Sequence, residues 1–130
     1  DAVIQAHKDR KKVVITDRSP IDTCAYVARG TDELRRLVTM SFENLEDMGI
    51  EVKHVLVTAS FHALQNRIRD RLTRESVRAK YNEDNLDHAK NAYSFYESSA
   101  ELWHSRVDTT SADLDEAVSE CRQIINSLAS

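Results

Sequence analysis

Glycine is scarce in this chain. Gly30 and Gly49 are the only two in 130 residues, where an average usage of ~7% would supply about nine. Two isolated glycines cannot build a glycine-rich phosphate-binding loop, and no such loop is present. Pro20 is the single proline. Cys24 and Cys121 are the only cysteines, too few and too far apart for a disulfide framework or a zinc knuckle. They read as reduced core thiols of a cytoplasmic protein. No apolar run approaches the ~20 residues that span a bilayer, so no membrane partner is expected. The opening DAVIQAHKDRKK is charged and lacks the apolar core of a signal peptide.

What is there is a globular composition, 41% hydrophobic and 31% charged, with length for one domain, 1–130, and one core. The net charge of −4 argues against binding a nucleic acid polymer by bulk electrostatics. The charge is uneven, however. Six basic residues (Arg67, Arg69, Arg71, Arg74, Arg78, Lys80) face only Asp70 and Glu75, which makes 67–80 a +4 segment and leaves the rest at −8. A positive patch on an acidic protein suits a small anionic ligand.

The apolar pattern alternates between strand and helix. Residues 1–10 read as the end of a helix, with Lys11 and Lys12 in its last turn or beyond. Val13 to Thr16 is β-branched and unbroken, the pattern of a strand buried on both faces. Pro20 suits the first turn of a helix running to Ala28 and stopped by Gly30. Thr31 caps a helix with Leu34, Leu37, Val38, Ser41, Leu45 and Met48 at helical spacing, closed by Gly49. VKHVLVT, 52–58, reads as a second buried strand. Ser60 caps a helix with Phe61, Leu64, Ile68 and Leu72 on its apolar face. A helix is expected over 83–102, with Leu86, Tyr93, Tyr96 and Ala100 on one side, and a third strand over 105–110. Asp113 and Glu116 form a capping box for a last helix, whose stripe is Leu114, Ala117, Val118, Cys121, Ile125 and Leu128. Strands separated by helices imply an α/β fold, a parallel sheet flanked by helices. The polar stretch 74–84 has no apolar period and is the segment expected to be mobile.

Three features could carry chemistry. Asp17 and Arg18 follow the first strand. Arg67, Arg71, Arg74 and Arg78 are spaced 4, 3 and 4 apart, which places four guanidiniums on one helix face. Asp108, Thr109 and Thr110 follow the last strand. Parallel topology would bring all three to the carboxyl edge of the sheet, where ligands bind. Each also has a plainer reading: a local ion pair, a solvated helix face, and a turn with a cap. The five histidines have no ligand-like spacing, and Tyr93, Phe95, Tyr96 and Trp103 read as core. Together, dense positive charge and an acid that can organise a metal or a nucleophile are what phosphoryl transfer requires. Arginine suits it because its planar fork matches phosphate oxygens and stays charged.

The order and spacing of these motifs resemble P-loop nucleoside and nucleotide kinases, nearest the thymidylate kinase and deoxynucleoside kinase branch. Asp17-Arg18-Ser19 followed by Asp22-Thr23-Cys24-Ala25-Tyr26-Val27 is similar to the Asp-Arg-Tyr and Ser-x-x-Ala-Tyr-Gln of thymidylate kinases. It also resembles the Glu-Arg-Ser of deoxynucleoside kinases. Arg67-Ile68 and the arginines after it resemble the family's lid, here about 67–84. Val107-Asp108-Thr109-Thr110 resembles its last strand and exit. The resemblance covers residues 10–128. It implies a three-layer α/β/α fold and phosphoryl transfer from ATP to a nucleoside or nucleoside monophosphate. Asp17 would organise Mg²⁺ or act as base, Arg18 would hold the acceptor, and Ser19 and Tyr26 would line its site. Arg67, Arg71, Arg74 and Arg78 would grip the transferring phosphate, and Asp108 to Thr110 would lie near the adenine. Homodimers are common in such proteins. Ser19 and Val27 depart from the thymidylate kinase pattern, which leaves the acceptor open.

The family's opening strand, Gly-x-x-x-x-Gly-Lys-Ser/Thr loop and helix have no counterpart in these residues. The chain is therefore expected to be the C-terminal portion of such a domain, incomplete on its N-terminal side and partnered by the missing segment. Strands 13–16 and 54–57 would then stand two strand spacings apart, ~10 Å. A non-catalytic nucleotide-binding or regulatory module is the alternative, distinguished by a degenerate loop upstream.

Overall fold

The computed structural model describes residues 9–10, 12–22, 31–81, 85–111 and 113–129. The elements are α1 (Thr31–Asp47), β1 (Val55–Thr58), α2 (Phe61–Arg74), a 3-10 helix (Ser76–Tyr81), α3 (Leu86–Ser98), a 3-10 turn (Ala100–Leu102), β2 (Ser105–Asp108) and α4 (Leu114–Ala129). β1 and β2 pair in parallel, Val55 beside Ser105 through to Thr58 beside Asp108. The chain is thus α/β with a parallel sheet. The crossover through α2 and α3 is what joining two parallel strands requires.

The helix ends follow from their capping residues. Asp32 and Glu33 sit in the first turn of α1, where the helix dipole favours acid. Gly49, at φ 78, makes the left-handed turn that ends it, and the Ile50 N–H returns to the Leu45 carbonyl at 2.9 Å. Ser60 Oγ accepts the Ala63 N–H at 3.2 Å to open α2. The capping box of α4 closes in both directions: Glu116 N–H to Asp113 Oδ1 at 2.8 Å, and Asp113 N–H to Glu116 Oε2 at 3.3 Å.

Burial across the sheet is unequal. Val57 and Val107 are register partners, so their side chains share one face. Val107 is fully buried, whereas Val57 is 57% exposed. That face is covered over β2, against which α4 packs, and open over β1. On the other face Leu56 and Thr58 are buried, and Ala59 and Ala92 join them in the core.

Several expectations need correction. Val13 to Thr16 is not a strand, and Val13, Val14 and Ile15 are exposed. Among the described residues no strand lies beside it, and an extended segment without a ladder partner is not held. The expected two-strand spacing therefore has no strand to be measured from. VKHVLVT is a strand only over Val55–Thr58, buried on one face. The helix expected over 83–102 ends at Ser98 and resumes as a 3-10 turn. The break falls at Ser99, fully buried, whose hydroxyl accepts from Arg35 Nη2 at 2.6 Å. In α4 the half-buried side is Ala117, Cys121, Ile124 and Ile125, while Leu114, Val118 and Leu128 face outward. Part of 74–84 is a 3-10 helix. The helical readings of 1–8 and 23–30, with Cys24, Tyr26 and Val27, lie outside the described residues.

Candidate functional site

The carboxyl edge of the sheet is built by two consecutive threonines. The Thr109 N–H and Oγ1–H both donate to the Thr58 carbonyl, at 2.7 and 2.9 Å, tying the end of β2 to the end of β1. The Thr110 N–H and Oγ1–H donate to Asp108 Oδ1 at 2.8 and 2.6 Å. Thr110 Oγ1 also accepts the Ser60 N–H at 2.7 Å, just ahead of α2. These hydrogen bonds, with the field of Arg106 and Arg67 behind them, hold the Asp108 carboxyl below its ordinary range.

Arg67 reaches this edge from α2. Its Nη1 donates to Thr109 Oγ1 at 2.9 Å and its Nη2 to the Thr109 carbonyl at 2.6 Å. Both partners are neutral, and no ion pair forms at Arg67 among the described residues. The result is an exposed guanidinium fixed in position by neutral hydrogen-bond partners, with the Asp108 carboxylate within its field, placed where parallel sheets bind ligands.

Arg71 and Arg74 follow Arg67 on the same side of α2, one and two turns on. α2 ends at Arg74, so Arg78 lies in the 3-10 helix, off the face predicted for four guanidiniums. Arg74 pairs with Asp70 at 2.5 Å and Arg78 with Glu75, which holds the Glu75 carboxyl below its usual value. Arg71 is half-buried on α2.

Asp17 and Arg18 belong to the turn that follows the exposed 13–16 segment. Both are exposed, and Arg18 adopts a φ of 69, a left-handed conformation that costs a non-glycine residue about 1–2 kcal/mol. The side chains of Asp17 and Arg18 have no hydrogen-bond or ion-pair partner among the described residues. Ser19, the next residue, places its Oγ 3.4 Å from Nδ1 of His54, which immediately precedes β1. The turn that carries Asp17 and Arg18 is therefore tied through Ser19 to the residue just before β1.

Two constellations escaped the sequence reading. Glu97 on α3 accepts from Thr58 Oγ1 at 3.2 Å and from Arg106 Nη2 at 2.8 and 2.7 Å, which raises the Arg106 pKa. Asp22 accepts the Ser19 N–H at 2.9 Å on one oxygen and the Tyr96 hydroxyl on the other. Asp22 is only five residues beyond Asp17, but its partner Tyr96 is 74 residues away, a pairing no local pattern reveals. No group of three or more metal-ligating side chains is found among the described residues.

No family model matches the chain, and no significant match is found among curated proteins or solved structures.

Proposed function

We propose that this chain is the acceptor-and-lid portion of an ATP-dependent nucleoside or nucleotide kinase with a P-loop-type three-layer fold. The observation that carries the reading is Arg67, an exposed guanidinium with no ion pair among the described residues, anchored on Thr109 at the carboxyl edge of a parallel sheet. A charge held there by neutral partners can meet a polyphosphate without first breaking an ion pair. Asp108 to Thr110, on the same edge, would lie beside the base of the nucleotide. The lid from Arg71 to Arg78 would close over the phosphates, with Arg74 and Arg78 exchanging Asp70 and Glu75 for phosphate oxygens.

Mg²⁺ in such enzymes is held by one or two carboxylates together with substrate phosphates, not by an all-protein cage. Asp17, exposed and without a protein partner among the described residues, suits that use or the role of base. Arg18 and Ser19 would hold the acceptor, with Tyr26 beside them. The upstream segment that cradles the donor phosphates belongs to another part of the protein. The exposed Val57 and Val13 to Ile15 are apolar surface that its strand would cover.

A second reading is favoured by the contact of Ser19 with His54, which ties the Asp17 turn to the residue just before β1. On that reading the protein binds nucleotide at Arg67 and transfers nothing. Assay of the complete protein with Mg·ATP and a panel of nucleosides and nucleoside monophosphates separates the two. The kinase reading expects turnover with at least one acceptor, lost in Asp17→Asn while ATP still binds. ATP binding with no turnover on any acceptor contradicts the kinase reading and selects the binding module.

A further inference from the structure

We propose that the groove between α1 and the 3-10 turn at Ala100–Leu102 binds an α-amino acid with an apolar side chain. The inference does not depend on the phosphoryl-transfer reading, and the groove shares no residue with the site assigned to that reading.

The groove encloses about 240 Å³. Sites for drug-sized ligands span roughly 300–1,000 Å³, so this one admits a molecule of about amino-acid size. Ile21, Val38, Phe42 and Leu102 supply its apolar lining. Two of them are fixed from elsewhere in the fold. Ile21 is 2% exposed, and its N–H donates to Ser19 Oγ at 3.2 Å. The Phe42 ring lies 4.5 Å from that of His54.

Arg35 and Glu101 are the charged members of the groove. Arg35 is set in place before any ligand arrives. Its Nη2 donates to Oγ of the fully buried Ser99 at 2.6 Å, and its guanidinium carbon stands 5.4 Å from the centre of the Phe95 ring. A guanidinium held this way gives up little freedom on binding. Among the described residues its Nη1 makes no hydrogen bond. Its contact with Glu101 Oε1 is long, 3.4 Å, and the Glu101 side chain is 63% exposed. An ion pair of that kind is worth little. It leaves Nη1 on one partner and Oε2 on the other free to meet a third group.

A cation and an anion side by side are complementary to a zwitterion. The ammonium and carboxylate of an α-amino acid share one carbon, so they also lie side by side. Laid against the protein pair with signs opposed, the ligand carboxylate accepts from Arg35 while the ligand ammonium donates to Glu101. Neither protein charge has to leave the other. The same carbon carries the side chain, which is left for the apolar lining. An apolar monoanion would meet Glu101 as a like charge, and an apolar monocation would meet Arg35 as one, so a ligand with a single charge is disfavoured.

The experiment titrates the methyl-labelled full chain with L-leucine and follows the Ile21, Val38 and Leu102 methyls by NMR. All three are expected to shift saturably at millimolar concentration or below. Leucinamide lacks the carboxylate and isocaproate lacks the ammonium. Each is expected to bind about tenfold more weakly than leucine, the worth of one charge-assisted hydrogen bond. Glu101 is exposed and its hydrogen-bond partner among the described residues is Arg35 alone, so Glu101→Gln leaves the apolar lining intact. That variant is expected to bind leucine about tenfold more weakly and isocaproate no more weakly than the unaltered chain does. The opposed responses distinguish recognition of an ammonium from general damage to the groove. No saturable shift of the three methyls with leucine, isocaproate or leucinamide binding as tightly as leucine, or leucine affinity unchanged in Glu101→Gln would each overturn the proposal.

Discussion

Arg67 forms no ion pair among the described residues, and both of its hydrogen-bond partners are neutral oxygens of Thr109. An arginine on an exposed helix face ordinarily finds a carboxylate three or four residues away, and Arg74 and Arg78 do so. The sequence spacing showed four arginines but could not tell which were spent locally, because Asp70 and Glu75 stand at pairing distance only once α2 and the 3-10 helix have formed. Asp108 illustrates the converse. Its lowered pKa comes first from the Thr110 side chain and then from the Thr110 N–H. A folded value below the usual 3.8 contributes stability that is present above 3.8 and lost as acid titrates the folded carboxyl. Thr110→Ala is expected to move the Asp108 pKa upward toward 3.8. An NMR titration of the carboxyl carbon measures it, and an unmoved value would show that Thr110 is not the cause.

At the level of elements, helices were the legible part. Ser60, Gly49 and the Asp113–Glu116 box mark their ends by local chemistry, and each is found where the pattern placed it. The strands were less legible. Val13 to Thr16 carries the right side chains for a buried strand, but a strand exists only with a neighbour to pair with, and β-branched residues cannot supply one. Nor does pattern reveal what the following turn is tied to, since that is decided by Asp22, Tyr96 and His54 across the fold. Val57 and Val107 measure the same dependence on neighbours. Val107→Ala is expected to cost about 2 kcal/mol in chemical denaturation, because it empties a filled core position. Val57→Ala is expected to change stability by less than about 0.5 kcal/mol in this chain, and the proposed additional strand would make the cost clearly larger in a longer chain that carries it. Equal effects of Val57→Ala in both contexts would mean that no such strand packs on β1.

For the whole molecule, the accessible surface is 9741 Å², against roughly 7,000 Å² expected for a compact monomer of this mass. Among the described residues, two strands, an open face over β1, and exposed Val13 to Ile15 and Leu37 leave apolar surface uncovered. ATP titration of the complete protein by calorimetry tests the Arg67 site most directly. Arg67→Ala is expected to weaken ATP binding by about tenfold to a hundredfold, the worth of a charge-assisted hydrogen bond, and Arg74→Ala by less. ATP binding equally tight in wild type and Arg67→Ala would contradict a phosphate site at this edge.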